Sequence, residues 1–206
     1  MSDRNMPFHD LLETLADNKF VLGDKLAEVG ISAPKLEAAL ASIAMAQGEL
    51  GQARHLYLWS FDLQGIEREV VEQSGKAFSK LLGIDNWISL MAGSYVMNCA
   101  VNVLVQDLLD ADKPGVRAKL SKLERELQEH IAFSQAWGMT MLNERGKIPE
   151  VYRTALEGAT SEVEAWLEQV DQANNLREEG YVTGRGVLKP YKEAIAQLHA
   201  TEREVV

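Results

Sequence analysis

A chain of 206 residues is long enough to form one domain with a sizeable core. Its single cysteine, Cys99, excludes a disulfide-stapled miniprotein, and 31 acidic against 21 basic side chains give a net charge of −10. That charge repels phosphate backbones and anionic lipid headgroups, so neither nucleic acid nor a membrane surface is the expected partner. The start Met1-Ser2-Asp3-Arg4 leads into no apolar run of the signal-peptide type. We therefore expect a cytoplasmic protein.

The first half of the chain shows apolar residues at helical spacing and no useful stretch of two-residue alternation. The first predicted helix spans residues 8–29, with an apolar stripe at Leu11, Leu15, Leu22, Leu26 and Val29. The second begins at Pro34, which the first turn of a helix tolerates, and runs to residue 63. A shorter third helix is predicted over residues 66–82.

The fourth predicted helix, residues 86–109, contains a stretch without charged side chains over residues 86–106. That length raises the question of a membrane span, but several polar residues argue for the core helix of a bundle. Further helices are predicted over residues 116–143, 149–177 and 188–203. Long helices joined by short loops predict an all-α bundle, with residues 1–206 as a single domain.

Helical bundles commonly hold two metal ions between carboxylates and two Glu-x-x-His pairs, and this chain has no such pair. The residues three positions before its histidines are Met6, Gln52, Leu127 and Ala196. A dinuclear iron site would therefore lack several of its usual ligands.

Polar residues nevertheless lie on otherwise apolar helix faces. Glu49 and Gln52 share a face with Met45 and Leu56. This indicates either half of a metal motif without its imidazole, or a Glu49 that pairs with a buried arginine or caps a polar network. His130 lies within the apolar stripe of the fifth helix, one turn after Glu126, and is typical of a satisfied core histidine or of a ligand.

The fourth helix carries a polar ladder at successive spacings of four residues, made of Ser94, Asn98, Asn102 and Gln106. It indicates either a remnant site or interhelical hydrogen bonds that fix the register of the bundle. Cys99, in the same apolar helix, is interpreted as an inert core thiol. The glycine-rich stretch from Gly180 to Gly186 matches no phosphate motif and is interpreted as a connecting loop.

Several stretches of the first half resemble the phenylacetate-degradation protein family. They are residues 12–28 (LETLADNKFVLGDKLAE), Ser32-Ala33-Pro34, Leu36-Glu37, Ile43-Ala44 and residues 49–54 (ELGQAR). Members of that family are subunits of the multicomponent oxygenase that epoxidises the ring of phenylacetyl-CoA. The resemblance is best to its non-catalytic, structural ferritin-like subunit, and it implies a ferritin-like four-helix bundle with additional helices.

The resemblance also implies where the iron ligands of a catalytic relative would fall. These positions, which we call the degenerate ligand set, are Asp24, Glu49, Gln52, Asn98, Leu127 and His130. Three of the six are poor ligands, so no metal or other cofactor is expected. A single iron or other divalent ion at Asp24, Glu49 and His130 is the alternative. We predict that the four side chains Asp24, Glu49, Asn98 and His130 converge on one interior volume.

The expected function is a structural subunit of a phenylacetyl-CoA-type monooxygenase, and the alternative is a stand-alone ferritin-like metal-dependent oxidase. A scaffold requires an interface, and we expect the first, second and fifth helices to supply its apolar face. The expected partners are a second copy of the chain or a catalytic ferritin-like paralogue, together with a reductase drawn to the acidic exterior.

Overall fold

The computed structural model describes residues 5–70 and 73–202, with side chains described through residue 198. Within these ranges every regular element is a helix, which confirms the predicted all-α, ferritin-like class. The helices are α1 (Phe8–Glu28), α2 (Leu36–Gln64), α3 (Ser79–Leu82), α4 (Trp87–Asp110), α5 (Val116–Leu142), α6 (Ile148–Asp171), α7 (Asn174–Glu178) and α8 (Leu188–Glu202). Residues 1–4 and Arg203, which also entered the predictions, lie outside the described residues.

The predicted third helix, residues 66–82, is wrong over most of its described residues, since among 66–70 and 73–82 only Ser79–Leu82 is helical; Val71 and Glu72 lie outside the described residues. Side chains of α1 bind the backbone just before it, which removes the need for helical hydrogen bonds. The backbone N–H of Lys76 donates to Asp17 at 2.7 Å, and that of Phe78 donates to Asn18 at 2.8 Å. The loop is therefore held by polar residues of another helix, a relationship that local periodicity does not report.

The sixth predicted helix is also too long, because α6 ends at Asp171 and the separate α7 follows. Ala173 between them has φ −80° and ψ 89°, which is not helical. The Asp171 carboxylate accepts hydrogen bonds from the backbone N–H groups of Val187 at 2.7 Å and Leu188 at 3.2 Å. It thereby caps the start of α8, where unpaired N–H groups need an acceptor.

Two compact units divide the chain, and the first comprises residues 6–90. In this unit α1 and α2 pack antiparallel, since Glu13 near the start of α1 accepts a 3.0 Å hydrogen bond from Gln64 at the end of α2. Gly23 lets the helices approach closely, because a Cβ there would lie 2.8 Å from Leu50 Cγ and 3.2 Å from the Ala46 carbonyl oxygen.

The second unit takes in the described residues from 91 to 202. Here α4 and α5 pair antiparallel: Gln128 donates to Asn102 at 2.8 Å, and Gln106 donates to Glu124 at 3.0 Å. These bonds confirm that two members of the polar ladder, Asn102 and Gln106, make interhelical contacts. Tyr95 links α4 to α8 through a 3.1 Å hydrogen bond to the Ala194 carbonyl.

One helix among the described residues, α4, is long and apolar enough to cross a membrane. Of its most apolar 18-residue window, 78% is buried inside the protein. Such burial is typical of a core helix, the interpretation that its polar residues favour.

Candidate functional site

Three consecutive polar residues of α1, Asp17, Asn18 and Lys19, are buried. Burial of charged or amide groups is costly unless each one finds a partner, so their contacts identify an internal polar cluster. Within residues 6–90 these three side chains reach both α2 and the loop that precedes α3.

The centre of this cluster is an ion pair between α1 and α2. Lys19 Nζ lies 2.8 Å from Glu49 Oε2, and both side chains have no solvent exposure. The interpretation that Glu49 has a basic partner is confirmed, but that partner is a lysine of α1 and not an arginine. This ion pair balances the Glu49 carboxylate with a cation that belongs to the protein itself.

Lys19 is absent from the predicted site residues, although its position contains a usable signal. It lies four residues after Leu15 and three before Leu22, directly within the apolar stripe of α1. A lysine on that stripe must either break the stripe or find an internal acceptor. The structure shows the second case.

Asp17 and Asn18 make the other contacts of the cluster. The Tyr57 hydroxyl donates to Asp17 at 2.6 Å. Asn18 donates to the Thr14 carbonyl at 2.8 Å and to the Lys76 carbonyl at 3.3 Å. Burial and the Asp17 charge both raise the pKa of Tyr57 well above its ordinary value, so the hydroxyl remains a donor. These residues hold the loop before α3 against the two helices.

The remaining α1 and α2 members of the degenerate ligand set behave differently from each other. Gln52 is buried with 5% exposure, on the same face as Glu49, Met45 and Leu56, as predicted. Asp24, however, is exposed to solvent, so the prediction that it points into the interior is wrong. It lies two residues past Leu22 on α1, which turns it away from the apolar stripe that faces the core.

The other three positions of the set, Asn98, Leu127 and His130, lie in the unit of residues 91–202. All three are buried, with exposures of 0%, 0% and 6%. One turn after His130, the Ser134 hydroxyl donates to the His130 carbonyl at 2.8 Å. Leu127 offers no donor atom to a metal, and Asn98 offers only a neutral amide.

This chemistry does not fit a diiron centre. Two ferrous or ferric ions need several carboxylates and imidazoles, whereas the set contains one exposed carboxylate, one carboxylate paired with lysine, two amides, a leucine and one histidine. Within residues 5–70 and 73–198, no three His, Cys, Asp or Glu side chains come close enough together to hold a metal.

Cys99 is buried in α4, and burial raises the pKa of its thiol to about 12 despite an opposing hydrogen bond with Tyr95. A thiol with that pKa is almost entirely protonated at neutral pH and is a poor nucleophile. The interpretation of Cys99 as an inert core thiol is therefore supported by its surroundings.

The loop from Gly180 to Gly186 connects α7 with α8 and is anchored to α4. Asp107 accepts hydrogen bonds from both the backbone N–H and the hydroxyl of Thr183, and Arg185 forms a 3.2 Å ion pair with Asp110. Gly184 has φ +78°, and a Cβ there would lie 2.8 Å from Arg177 Nε. The positive φ favours glycine at this position, because other residues rarely adopt that backbone conformation.

Comparison with known proteins places these features in a family. Residues 1–201 match the family described as "Phenylacetic acid catabolic protein". The chain belongs to this family. Over 130 residues it is 29% identical to a protein of Escherichia coli (strain K12) that is named as a subunit of 1,2-phenylacetyl-CoA epoxidase. That match covers 60% of this chain and 52% of the relative, so it spans about half the length of the curated protein.

Membership of the phenylacetic acid catabolic family agrees with the resemblance found in the sequence. It connects the helical fold to phenylacetate catabolism.

Proposed function

We propose that this protein is a non-catalytic structural subunit of a phenylacetyl-CoA-type multicomponent monooxygenase in aerobic, cytoplasmic phenylacetate catabolism. Membership of the phenylacetic acid catabolic family supports the pathway, and similarity to a subunit of 1,2-phenylacetyl-CoA epoxidase supports the type of complex. The chain would need no metal or other cofactor of its own.

The observation that carries the non-catalytic role is the pairing of Glu49 with Lys19. Among the α1 and α2 members of the degenerate ligand set, Glu49 is the buried carboxylate, and its charge is already balanced by an ammonium group. Gln52 provides an amide where an imidazole is needed, and Asp24 is exposed. Oxygen activation would therefore depend on a partner subunit.

A subunit role requires a surface for that partner, and α2 offers one. Leu36, Leu40 and Ile43 follow one another at helical spacing, with exposures of 72%, 60% and 41%. We call these three residues the α2 apolar stripe. Neither α1 nor α5 carries a comparably exposed large apolar residue in the described chain, so α2 is the favoured interface among the three helices first considered.

The proposed occupant of this stripe is a catalytic ferritin-like paralogue, and co-expression followed by size measurement tests the proposal. We expect a stable complex that contains both chains, with iron bound by the paralogue. Leu40→Asp should weaken the complex by about tenfold or more, because it places a charge in an apolar contact. Leu82→Asp, at a similarly exposed leucine of α3 outside the stripe, is the matched control.

Two outcomes would reject this function. One is a chain that remains alone, binds iron and consumes oxygen, which would establish the stand-alone oxidase instead. The other is a second copy of the chain occupying the stripe while the paralogue fails to bind.

A further inference from the structure

The Lys19 ammonium group lies 2.8 Å from the buried carboxylate of Glu49, a position at which the family resemblance implies an iron ligand in catalytic relatives. We propose that Lys19 acts as a built-in substitute for a metal ion: it supplies the positive charge that keeps Glu49 buried and closes this position to divalent metals. The inference deepens the proposed function, on which it rests, by naming the residue that makes the position metal-independent.

Three observations on α1 and α2 support this assignment. The Lys19 Nζ to Glu49 Oε2 distance is 2.8 Å, and neither side chain is exposed, so bulk water does not solvate either charge. Gln52, one turn after Glu49 on α2, is buried on the same helix face. Gly23, four residues after Lys19, allows α1 to approach α2 closely enough for the contact.

The pair also differs from an ordinary surface ion pair of the same helix. Lys25 and Glu28 of α1 lie 3.0 Å apart, but their side chains are 18% and 64% exposed. Solvent screens that pair and can replace either partner, so its contribution is small. The Lys19 and Glu49 side chains do not reach solvent, and loss of the ammonium group removes the positive charge that lies 2.8 Å from a buried carboxylate.

A metal-rescue experiment on the full chain tests the proposal. Lys19→Ala removes the ammonium group and leaves room beside Glu49, while Mn²⁺ is a divalent ion that suits carboxylate and amide oxygens. We expect Lys19→Ala to unfold at a lower temperature than wild type. Saturating MnCl₂ should then raise its Tm by about 5 °C or more, with one bound Mn²⁺ per chain by elemental analysis.

Controls separate this role from a purely structural ion pair. Wild type and Lys25→Ala should show no Mn²⁺-dependent shift, since the first retains its internal cation and the second loses only a screened surface charge. The double variant Lys19→Ala/Glu49→Gln should also be insensitive to Mn²⁺, because the carboxylate that needs the cation is gone.

The proposal is overturned if Mn²⁺ fails to stabilise Lys19→Ala, or if it stabilises wild type equally. If Lys19→Ala fails to fold both with and without MnCl₂ while Lys19→Met/Glu49→Leu folds, the pair is structural only and the proposal is again rejected. Binding of the paralogue is measured separately, so failure of metal rescue is distinguishable from failure of the subunit role.

Discussion

The Tyr57 hydroxyl donates a 2.6 Å hydrogen bond to the Asp17 carboxylate and thereby joins α2 to α1 inside the protein. The same carboxylate accepts the Lys76 backbone N–H, and Tyr57 also donates to the Gln73 carbonyl. One tyrosine thus links the helix pair to the irregular loop that precedes α3.

Tyr57→Phe should cost about 1.5–3 kcal/mol of unfolding free energy, because a buried hydrogen bond to a charged acceptor is lost. Denaturant unfolding measures this cost, and hydrogen exchange should show faster exchange at the amide of Lys76 than in wild type. Unchanged stability together with unchanged exchange at Lys76 would contradict the role given to Tyr57.

The contact between Lys76 and Glu13 should make stability depend on acid pH. Burial alone would raise the pKa of Glu13, but hydrogen bonds from Lys76, Gln64 and Ser60 and the Lys76 charge lower it below its ordinary value. A carboxylate with a lowered folded-state pKa adds stability above its unfolded pKa, and that stability is lost as pH falls through the folded value.

The Lys76→Met variant should therefore lose less unfolding free energy than wild type as the pH falls below about 4.5, the ordinary pKa of a glutamate carboxyl. Burial alone would lower the pKa of Lys76, but hydrogen bonds and charges from Asp10 and Glu13 raise it above its ordinary value. The stability that Lys76 adds is therefore fully present below its unfolded pKa and is lost only at strongly alkaline pH. The effect should be modest, since the Lys76 and Glu13 side chains are 38% and 20% exposed. If the unfolding free energies of wild type and Lys76→Met fall with the same slope at acid pH, the contact between Lys76 and Glu13 is not the cause of the pH dependence.

Two glycines in long helices should respond in opposite ways to alanine. A Cβ at Gly138 of α5 would overlap with the hydroxyl of the buried Tyr152, so Gly138→Ala should destabilise the protein by about 1–3 kcal/mol. A Cβ at Gly51 of α2 meets nothing within 4 Å, and Gly51→Ala should stabilise by about 0.5–1 kcal/mol. Thermal unfolding of both variants tests this prediction. If Gly138→Ala changes the Tm in the same direction and by the same amount as Gly51→Ala, Tyr152 moves aside at no cost.

Sequence periodicity was sufficient for the helices that bury an apolar stripe. The observed α1 and α4 lie within one residue of the predicted bounds at each end. Periodicity failed over residues 66–70 and 73–78, where Asp17 and Asn18 bind the loop from a distant part of the sequence. At Lys19 the apolar stripe indicates a need for an internal acceptor, but local periodicity does not show that this acceptor is Glu49 of another helix. Long-range polar contacts are the information that local patterns lack.

Cys99 should resist thiol reagents in the folded protein. Its exposure is 4%, so reagents do not reach the sulfur, and burial raises its pKa to about 12, so the thiol stays protonated at pH 8. We expect labelling by a disulfide reagent at pH 8 only at the rate of unfolding, with one thiol per chain released at once in denaturant. Rapid labelling under native conditions would show that α4 opens locally.

Glu49→Gln should cost about 3–5 kcal/mol, because it removes the negative charge that lies 2.8 Å from the buried Lys19 ammonium group. The exposed Glu157→Gln on α6 is the matched control and should change stability by no more than about 0.5 kcal/mol. Replacing both members, in Lys19→Met/Glu49→Leu, should recover most of the loss, since apolar groups of similar volume need no internal charge balance. If Glu49→Gln unfolds at the same denaturant concentration as wild type, the pair does not stabilise the contact between α1 and α2.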